Sequence, residues 1–542
     1  MHRRAFLQGL SDLGACHLAA SLAATAGVLH SAHAATTAPD LPDECGVASG
    51  DPAADAITLW TRVPLAARQQ AMGQPSPARD GLEVLQVRWW LAERTQGRLR
   101  IVRTGSVPTS PARDWTVKVR VEGLNADTRY LYGFETDAGW RSVEGHTRTL
   151  PAAQADVEAL TFAYLSCQFY GAGFYNVYEA LAGDREVDFC VHLGDSIYEN
   201  VSALQARFQV RPEPAGEATT LEQYRARYLL TLRDPWYREV RRLFAWIVLP
   251  DDHEVFNDYS GSVLAAEPAA AARKARAFQA YFEFMPLDDA PFPRLHRCFR
   301  FGTLATLFAL DERQNRDGHV CASKPLKTLC DEAKDETRTM LGAHQKEWLT
   351  EELKASGTRW NVLLSEVMMM PQKVVDRPAG LVQDPREKEL PRAPFSQDLY
   401  LTLDSFDGYP ACREELATFL AERDEGNTLV WTGDIHNCYA GHVETRDGSR
   451  VAFEMSTGSV TSTGVGDVFR FGTARRLEKQ FLRANPHMVC VDLRHHMYVR
   501  VRLGRDSARY ETICVDTILR SRHRAFCGHR MNVARGTLEV YL

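Results

Sequence analysis

Residues 187–199 read VDFCVHLGDSIYE, a short apolar run that leads directly into a cluster of polar side chains. Apolar runs of this kind alternate with helical stretches from about residue 160 onward. Buried strands joined by helical crossovers are typical of a mainly parallel sheet covered by helices. The pattern therefore predicts an α/β sandwich over most of the chain. The runs are Phe162–Ser166, Val187–Leu193, Phe244–Leu249, Leu304–Leu310, Asn361–Val367 and Leu429–Thr432.

Other segments of this region show helical periodicity or a further strand pattern. The helix candidates are Ala271–Phe284, Leu341–Ala355 and Glu414–Glu422, and the additional strand candidates are Val451–Met455, Val489–Asp492 and Tyr498–Leu503. Residues 201–235 and 370–400 are polar, contain proline and lack a strong period. We interpret these two stretches as long insertions or lids.

Residues 45–150 have a different character, with short strand candidates and no helical period. The candidates are rich in β-branched and aromatic residues, and a spacing of this kind is typical of a β-sandwich. Nothing in the segment brings chemically active side chains together, so we interpret it as a structural flank. The candidates are Ile57–Arg62, Val84–Ala92, Thr116–Val121 and Tyr130–Thr136.

The first 34 residues resemble an export signal. Arg3 and Arg4 precede an alanine-rich, weakly apolar stretch that ends in Ala32-His33-Ala34, the layout of a twin-arginine signal peptide. We therefore expect the twin-arginine export machinery as a partner and a periplasmic or secreted location. No later segment has eighteen uninterrupted apolar residues, so we expect no membrane span in the mature chain.

Composition excludes two broad classes of protein. The chain carries 64 Lys+Arg against 70 Asp+Glu, a net charge of −6, which disfavours nucleic acid as a bulk partner because phosphate binding needs a basic face. A hydrophobic fraction of 45% excludes global disorder. Among the twelve cysteines, Cys321 and Cys330 are close enough in sequence to close a small loop, and no C-x-x-C pair supports a zinc ribbon.

Polar side chains follow four of the apolar runs, at the point where each predicted strand ends. Ligands of open α/β sheets gather beyond the carboxyl ends of the strands. We therefore expect these segments to bring aspartate, histidine, asparagine, cysteine and tyrosine side chains to one edge of the sheet. The segments are Ser166–Gln168, Gly194–Glu199, Asp251–Asp258 and Gly433–Asn437.

Crowded carboxylates at one edge need positive charge, because unpaired like charges in one site carry a large electrostatic cost. No matching set of arginine or lysine lies inside the four segments. Polyvalent cations resolve this problem: carboxylate and amide oxygens suit hard ions, and the Cys167 thiolate and Tyr198 phenolate suit Fe(III). Two cations about 3.5–4 Å apart would bind a phosphoryl group and activate water.

Each of these residues also has a structural interpretation when it is taken alone. Cys167 fits a small buried residue, and His253 fits a core histidine paired with Asp252. Asp258 and Glu254 fit a structural role as well as a functional one. Their joint appearance at successive strand ends favours the metal-site interpretation, and the sequence lacks the motifs of serine esterases, P-loop NTPases, nicotinamide enzymes and zincins.

Many separated motifs of the chain, in order, resemble the PhoD-like alkaline phosphatase family of the calcineurin-like metallophosphoesterases. The resemblance runs from about residue 40 to the C-terminus and implies a four-layer metallophosphoesterase-type α/β sandwich preceded by an Ig/fibronectin-like β-sandwich domain. The motifs are Gly46–Pro52, Leu59–Arg62, Ser166-Cys167, Leu193–Glu199, Asp251–Asp258, Leu310–Arg313, Met340–Gln345 with Trp348, Asp407–Pro410 and Thr432–His436.

This resemblance implies a centre with one Fe(III) and two Ca(II), although zinc, manganese and cobalt also suit the residue types. It implies that Cys167 and Tyr198 are iron ligands and that Asp195 is a shared, metal-bridging carboxylate. Asp434 and His436 match the last ligand motif.

Further roles follow from the same resemblance. Asp252 and His253 are the expected catalytic residues, Asp252 as a bridging or second-metal ligand and His253 as the group that helps the leaving oxygen depart. Asn257 is a candidate for calcium or phosphate, and Arg313 is a candidate phosphate contact. Cys438 departs from the family's pattern and leaves open an extra thiol beside the metals.

The resemblance predicts an exported phosphoesterase that hydrolyses phosphate monoesters, and also diesters, by metal-activated water without a phosphoenzyme. The alternatives are a phosphodiesterase or phospholipase D-like activity of the same site, and a non-catalytic exported binding protein with structural metals. The expected organisation is a signal peptide at 1–34, a β-sandwich domain at 40–150, a catalytic domain at 158–520 and a C-terminal tail at 521–542.

Overall fold

The computed structural model describes most of the 542-residue chain. The predicted leader at 1–34 lies outside the described residues, as does most of the predicted insertion at 370–400. The described residues are 45–72, 84–95, 97–289, 295–321, 327–375, 399–423, 425–469 and 471–542.

The described strands form sheets of ten, seven, four and two strands. They are β1 (Val47–Gly50), β2 (Ala56–Arg62), β3 (Leu85–Thr95), β4 (Arg98–Thr109), β5 (Thr116–Glu122), β6 (Arg129–Thr136), β7 (Gly145–Arg148), β8 (Ala159–Leu165), β9 (Phe189–Leu193), β10 (Ala245–Leu249), β11 (Arg297–Phe301), β12 (Ala305–Ala309), β13 (Trp360–Ser365), β14 (Lys373–Val375), β15 (Leu399–Tyr400), β16 (Thr428–Thr432), β17 (Cys438–Glu444), β18 (Arg450–Ser456), β19 (Met488–Asp492), β20 (His496–Gly504), β21 (Ser507–Val515), β22 (Ala525–Ala534) and β23 (Val540–Tyr541).

The ten-stranded sheet has the order β23-β22-β21-β20-β8-β9-β10-β1-β2-β5. Its centre is parallel, since β8, β9, β10 and β1 run in the same direction. Leu165 lies opposite His192, and Leu193 lies opposite Leu249, so β8, β9 and β10 end at nearly the same level. This register places the segments that follow the three strands side by side.

The seven-stranded sheet has the order β11-β12-β13-β16-β18-β17-β19. Strands β12, β13, β16 and β18 are parallel, and the remaining three pair in antiparallel fashion. The fully buried strand β16 holds the apolar run at Leu429–Thr432. Its carboxyl end therefore opens into the segment that carries Asp434 and His436.

The two large sheets pack face to face and are covered by helices, which confirms the predicted four-layer α/β sandwich. The interface is apolar and aromatic: the Trp431 ring stacks on Tyr164, with centroids 4.9 Å apart, and also contacts Phe162. Asn176–Ala182, Pro235–Leu243 and Pro268–Phe284 contribute to the core outside the ten-stranded sheet. Helices such as Gly342–Ala355 contribute to the corresponding core outside the seven-stranded sheet.

The predicted helices are present with slightly different ends. Ala271–Phe284 lies inside the helix Pro268–Phe284, and Glu414–Glu422 lies inside Pro410–Arg423. The described α-helices are Leu65–Met72, Asn176–Ala182, Ala203–Arg207, Leu221–Thr231, Pro235–Leu243, Gly261–Ala266, Pro268–Phe284, Glu312–Asn315, Gly342–Ala355, Pro410–Arg423, Val465–Val468 and Phe471–Ala484.

The N-terminal module is a β-sandwich, as predicted, but one of its two sheets is part of the ten-stranded sheet. Strands β4, β3, β6 and β7 form a separate sheet, whereas β1, β2 and β5 extend the large one. Ser49 pairs with Ala245 in parallel, and the chain passes so close to Pro286 that a Cβ on Gly50 would lie 2.0 Å from the Pro286 carbonyl oxygen. The N-terminal β-sandwich and the larger domain therefore share one continuous sheet.

The stretch 201–235, interpreted from the sequence as a long insertion or lid, contains two helices and the start of a third. Ser202 and Thr220 begin the first two helices with reciprocal capping hydrogen bonds to Gln205 and Gln223. The helical period is hidden in the sequence because Arg227 lies on the buried face, where it pairs with Glu213.

The C-terminal segment also differs from expectation. Residues 521–542, expected to be a tail, contain β22 and β23, which extend the ten-stranded sheet beyond β21. Cys321 and Cys330 form a disulfide, as their spacing suggested. Among the described residues, no helix combines the length and the apolar character that a membrane span requires.

Candidate metal centre

The carboxyl ends of β8, β9, β10 and β16 meet at one place, although β16 belongs to the other large sheet. A Cβ on Gly433, the residue after β16, would lie 3.0 Å from both the Leu193 carbonyl oxygen and the Ser166 Cβ. Cys167 donates its backbone N–H to the Gly194 carbonyl oxygen at 3.1 Å. The sequence segments predicted to share one edge are therefore in contact.

Several residues at these strand ends adopt a left-handed backbone conformation that non-glycine residues rarely adopt. Cys167, Asp195, Asp434 and His436 have φ angles of 60°, 58°, 62° and 58°. Such a conformation costs on the order of 1–3 kcal/mol per residue and persists where the surrounding contacts require it. In each case the bend turns a polar side chain toward the common edge.

The first part of the centre combines a thiol, a carboxylate, a phenol and an imidazole. One ligand atom each of Cys167, Asp195 and His436 lies within 4.8 Å of the others. The Tyr198 hydroxyl donates to Asp195 Oδ2 at 2.7 Å and lies 3.1 Å from His436 Nε2. His436 Nδ1 lies 3.0 Å from the Thr463 carbonyl oxygen, a contact that leaves Nε2 directed at the centre.

The second part of the centre consists of carboxylates. Asp251, Asp252 and Asp434 offer oxygens within 4.8 Å of one another, and Asp252 forms a further group with Asp195 and His253. Asp195 and Asp252 each belong to more than one of these groups, so the two parts are continuous. Asp252 also forms a group with Asp258 and Asp404.

The charges of this site are poorly balanced by the chain alone. Burial, together with the neighbouring carboxylates, raises the pKa of Asp195 and Asp251 well above the usual value. Burial also raises the pKa of Asp434 to about 7. Asp251 Oδ2 and Asp252 Oδ1 are buried without a hydrogen-bond partner in the described part of the chain. Unpaired oxygens in a buried acidic site fit metal ligands.

Arg313 is the main cation of the centre, and it lies beneath the carboxylates. Its side chain is 1% exposed, and it donates hydrogen bonds to Asp251, Asp404 and Asp434, the last at 3.0 Å. Asp252 Oδ1 is 3.8 Å from the same guanidinium. These contacts differ from the open phosphate contact expected from the sequence, because the N–H groups already point at protein oxygens.

His253 is held at the edge of the centre by a carboxylate. Its Nδ1 lies 2.6 Å from Glu199 Oε2, and its ring lies 4.2 Å from that of Tyr198. Burial alone would lower the pKa of His253, but the charges of Glu199, Asp252 and Asp195 raise it well above the usual value. This environment favours the protonated imidazole.

Asn257 lies at the rim and is exposed. Its backbone N–H donates to Glu199 Oε1 at 3.1 Å, so the Glu199 carboxylate joins the segment of Asn257 to His253. Cys438 lies in β17 among residues of the core between the large sheets. Its neighbours there are Cys490, Asp492 and Cys514, which form a separate group.

Two contributors, Asp404 and Ser462, lie outside the segments that the sequence marks, and a third, Glu254, lies inside one without a defined role. Asp404 lies far along the chain and follows none of the strands predicted from the sequence, so no pattern marked it as a partner of Arg313. Ser462, in the loop after β18, donates to the Tyr198 hydroxyl at 2.6 Å. Glu254, in the conspicuous segment Asp251–Asp258, had equal structural and functional interpretations, and only the fold shows what it contacts.

Glu254 connects two of the strand-end segments. Its Oε2 accepts from the backbone N–H groups of Asp195 at 3.1 Å and Asp251 at 2.8 Å. Its Oε1 accepts from the backbone N–H and the hydroxyl of Ser196 at 2.6 and 2.5 Å. One buried carboxylate thus sets the spacing between the turns that follow β9 and β10.

Glu254→Ala is expected to lower the free energy of unfolding by about 3 kcal/mol or more, since each buried donor left unpaired costs about 1–3 kcal/mol. Chemical denaturation measures this change. Glu415→Ala is the control, because Glu415 is 57% exposed and pairs with Lys346 at the surface, and it should change stability by less than about 0.5 kcal/mol. Equal stability of Glu254→Ala and the unmodified chain would show that Glu254 does not hold the two turns.

Comparison with known families agrees with this geometry. The profile described as PhoD-like phosphatase matches residues 162–512, and the profile described as its N-terminal domain matches residues 29–151.

Two individual proteins show the same likeness over nearly the whole chain. The chain is 33% identical to alkaline phosphatase D of Bacillus subtilis (strain 168) over 503 residues, which covers 90% of this chain and 80% of that protein. A solved structure titled "Structure of PhoD" superimposes with a TM-score of 0.78 at 29% identity, covering 94% of this chain and 93% of the other.

Proposed function

The chain belongs to the PhoD-like phosphatase family and is a phosphoric ester hydrolase, and on that premise we propose how its centre works. In this proposal the enzyme hydrolyses phosphate monoesters, and also diesters, with a water molecule that metal ions would activate. No phosphorylated enzyme intermediate forms. The observation that supports this most strongly is the continuity of the ligand groups through Asp195 and Asp252. Such overlap suits neighbouring cations that share carboxylates.

The proposed metals are one Fe(III) and Ca(II). Cys167, Tyr198, Asp195 and His436 would hold the iron, because thiolate and phenolate donors suit Fe(III). When bound, the metal ions would neutralise the carboxylates, bind phosphoryl oxygens and lower the pKa of a water molecule.

The remaining carboxylates are the proposed Ca(II) ligands, since oxygen ligands suit hard cations. Asp252 and Asp434 would bind there, with Asn257 as a rim ligand or phosphate contact. Asp195 would belong to both the iron ligands and the calcium ligands.

The chain itself supplies proton transfer and positioning. His253, protonated and held by Glu199, would donate a proton from Nε2 to the leaving oxygen. Arg313 would position Asp251, Asp404 and Asp434 in preference to binding phosphate directly, because its N–H groups are already used by these carboxylates.

Phosphate release from a chromogenic monoester and a chromogenic diester, measured side by side, tests the substrate class. A diester activity far above the monoester activity would favour the phosphodiesterase alternative. Stereochemistry at a chiral phosphorus centre tests the water attack: a single in-line displacement inverts the configuration, whereas a phosphoenzyme retains it. Retention would therefore overturn the proposed mechanism.

Tyr198→Phe is expected to abolish the visible phenolate-to-Fe(III) absorption of the purified, metal-loaded protein, since Tyr198 is the proposed phenolate ligand. Absorption spectroscopy at matched iron content measures it. Tyr175→Phe is the matched control, because Tyr175 is equally buried but donates to the Gln168 carbonyl oxygen. A visible band that survives in Tyr198→Phe would remove Tyr198 from the iron ligands.

We further propose export by the twin-arginine machinery to the periplasm or beyond the cell, followed by removal of residues 1–34. The adjacent Arg3 and Arg4 support this, and the Cys321–Cys330 disulfide suits an oxidising compartment. Replacing both arginines with lysine should retain the protein in the cytoplasm, as cell fractionation would show. In the proposed domain organisation, 40–150 is a flanking domain and 158–520 carries the catalysis, with its sheet extended by β22 and β23.

A further inference from the structure

A second group of thiol, imidazole and carboxylate side chains lies between the two large sheets and shares no residue with the metal centre. Asp492, His495 and Cys514 each offer one ligand atom, and these atoms lie within 4.8 Å of one another. Asp492 ends β19 of the seven-stranded sheet, whereas Cys514 lies in β21 of the ten-stranded sheet. The group therefore spans the interface between the sheets.

Two more thiols reach the same space from neighbouring strands. In the antiparallel ladder of β17 and β19, Cys438 lies opposite Asp492, and Ala440 lies opposite Cys490. Alternate residues of a strand point to the same face, so Cys438, Cys490 and Asp492 share one face. That face packs into the core between the sheets, to which Cys514 also belongs.

His529 of β22 approaches the group from the ten-stranded sheet. Its Nε2 lies 3.2 Å from Asp492 Oδ2. The same Asp492 oxygen lies 2.8 Å from His495 Nδ1. Asp492 thus lies between two imidazoles and within 4.8 Å of the buried Cys514 thiol.

The group is buried on one side and open on the other. The Asp492 side chain and Cys514 are 0% exposed, whereas the side chains of His495 and His529 are 18% and 32% exposed. An ion from solvent would reach the buried carboxylate and thiol between the two imidazoles. This arrangement supplies both the ligands and an entry path.

We propose that this group is a Zn(II) site with Asp492, His495 and Cys514 as ligands and with His529 beside Asp492. Thiolate and imidazole donors select zinc over calcium and magnesium. Ligand atoms around tetrahedral zinc are about 3.3–3.8 Å apart, so side-chain shifts of about 1 Å would bring atoms that now lie within 4.8 Å of one another to that spacing. The site would connect β19 to β21 and so join the two sheets.

Zinc content of the full chain tests this inference. The background for this test is the double variant Cys167→Ser, Asp195→Asn, which removes two proposed ligands of the catalytic metal centre. The purified variant is incubated with Zn(II), desalted and analysed for metal. We expect this background to retain one zinc per chain. Adding His495→Gln and His529→Gln should remove that zinc. Equal zinc content with and without the two glutamine substitutions would overturn the proposal.

Two controls separate ligation from loss of folding. Cys527→Ser, at an exposed thiol two residues from His529, should leave the zinc content unchanged, and circular dichroism should show that the glutamine variant is folded. In the same background, Co(II) should give a thiolate-to-cobalt charge-transfer absorption that Cys514→Ser abolishes. If Co(II) gives no such absorption in the background variant that retains Cys514, the proposal is also overturned. Because the background disables the catalytic centre, neither result depends on the proposed function.

Discussion

Asp195→Asn is expected to lower kcat/KM for phosphate esters by about 10³-fold or more, equivalent to about 4 kcal/mol of transition-state stabilisation. Asp195 belongs to two of the candidate ligand groups, one with Cys167 and His436 and one with Asp252 and His253. Its replacement by a neutral amide therefore weakens both parts of the centre at once.

Asparagine is the suitable replacement because it keeps the size of the side chain and tolerates the left-handed backbone at this position. The fold should therefore survive, and elemental analysis should show reduced metal content in a folded protein. Asp506→Asn is the control, since the Asp506 side chain is 90% exposed, and it should keep full activity and metal. Full activity in Asp195→Asn would defeat the assignment of the centre.

Arg313→Ala is expected to destabilise the fold by about 3–5 kcal/mol, the usual cost of removing one partner from a buried ion pair. The guanidinium is buried and neutralises Asp251, Asp404 and Asp434, whose charges would otherwise repel one another. Arg313→Lys should restore only part of this stability, because a single ammonium group lacks the fork of donors that reaches several carboxylates.

Chemical denaturation together with steady-state kinetics distinguishes the two roles considered for Arg313. A positioning residue lowers the free energy of unfolding when it is removed, whereas a simple phosphate contact raises KM and leaves stability unchanged. Arg505→Ala is the control for removing an exposed arginine, since Arg505 is 40% exposed and pairs with the exposed Asp156. A raised KM with unchanged stability would restore the phosphate-contact role expected from the sequence.

The alternation of apolar runs with helical stretches was sufficient to predict the α/β sandwich. Strand periodicity and burial are local properties, so Val187–Leu193 and Leu429–Thr432 could be recognised without knowledge of their partners. The segments after these strands carry Asp195, Asp434 and His436, and the rule that ligands gather at strand ends was enough to expect them together.

The contacts beneath the centre could not be predicted in this way. Arg313 bonds to Asp404 and Asp434, which are 91 and 121 residues away along the chain. Nothing in the local sequence marks such a pairing, because it depends on how the sheets stack. The same applies to the group around Asp492, in which Cys514 comes from the opposite sheet.

The sequence by itself determined which strands are buried, where they end and which chemical groups follow them, since each of these depends on residues within a few positions. Only the tertiary structure decided which charges face one another: it directed Arg313 toward carboxylates, Glu254 toward two turns and Cys438 into the space between the sheets. The physical reason is that electrostatic and hydrogen-bond energies depend on distance in space, whereas periodicity depends only on distance along the chain.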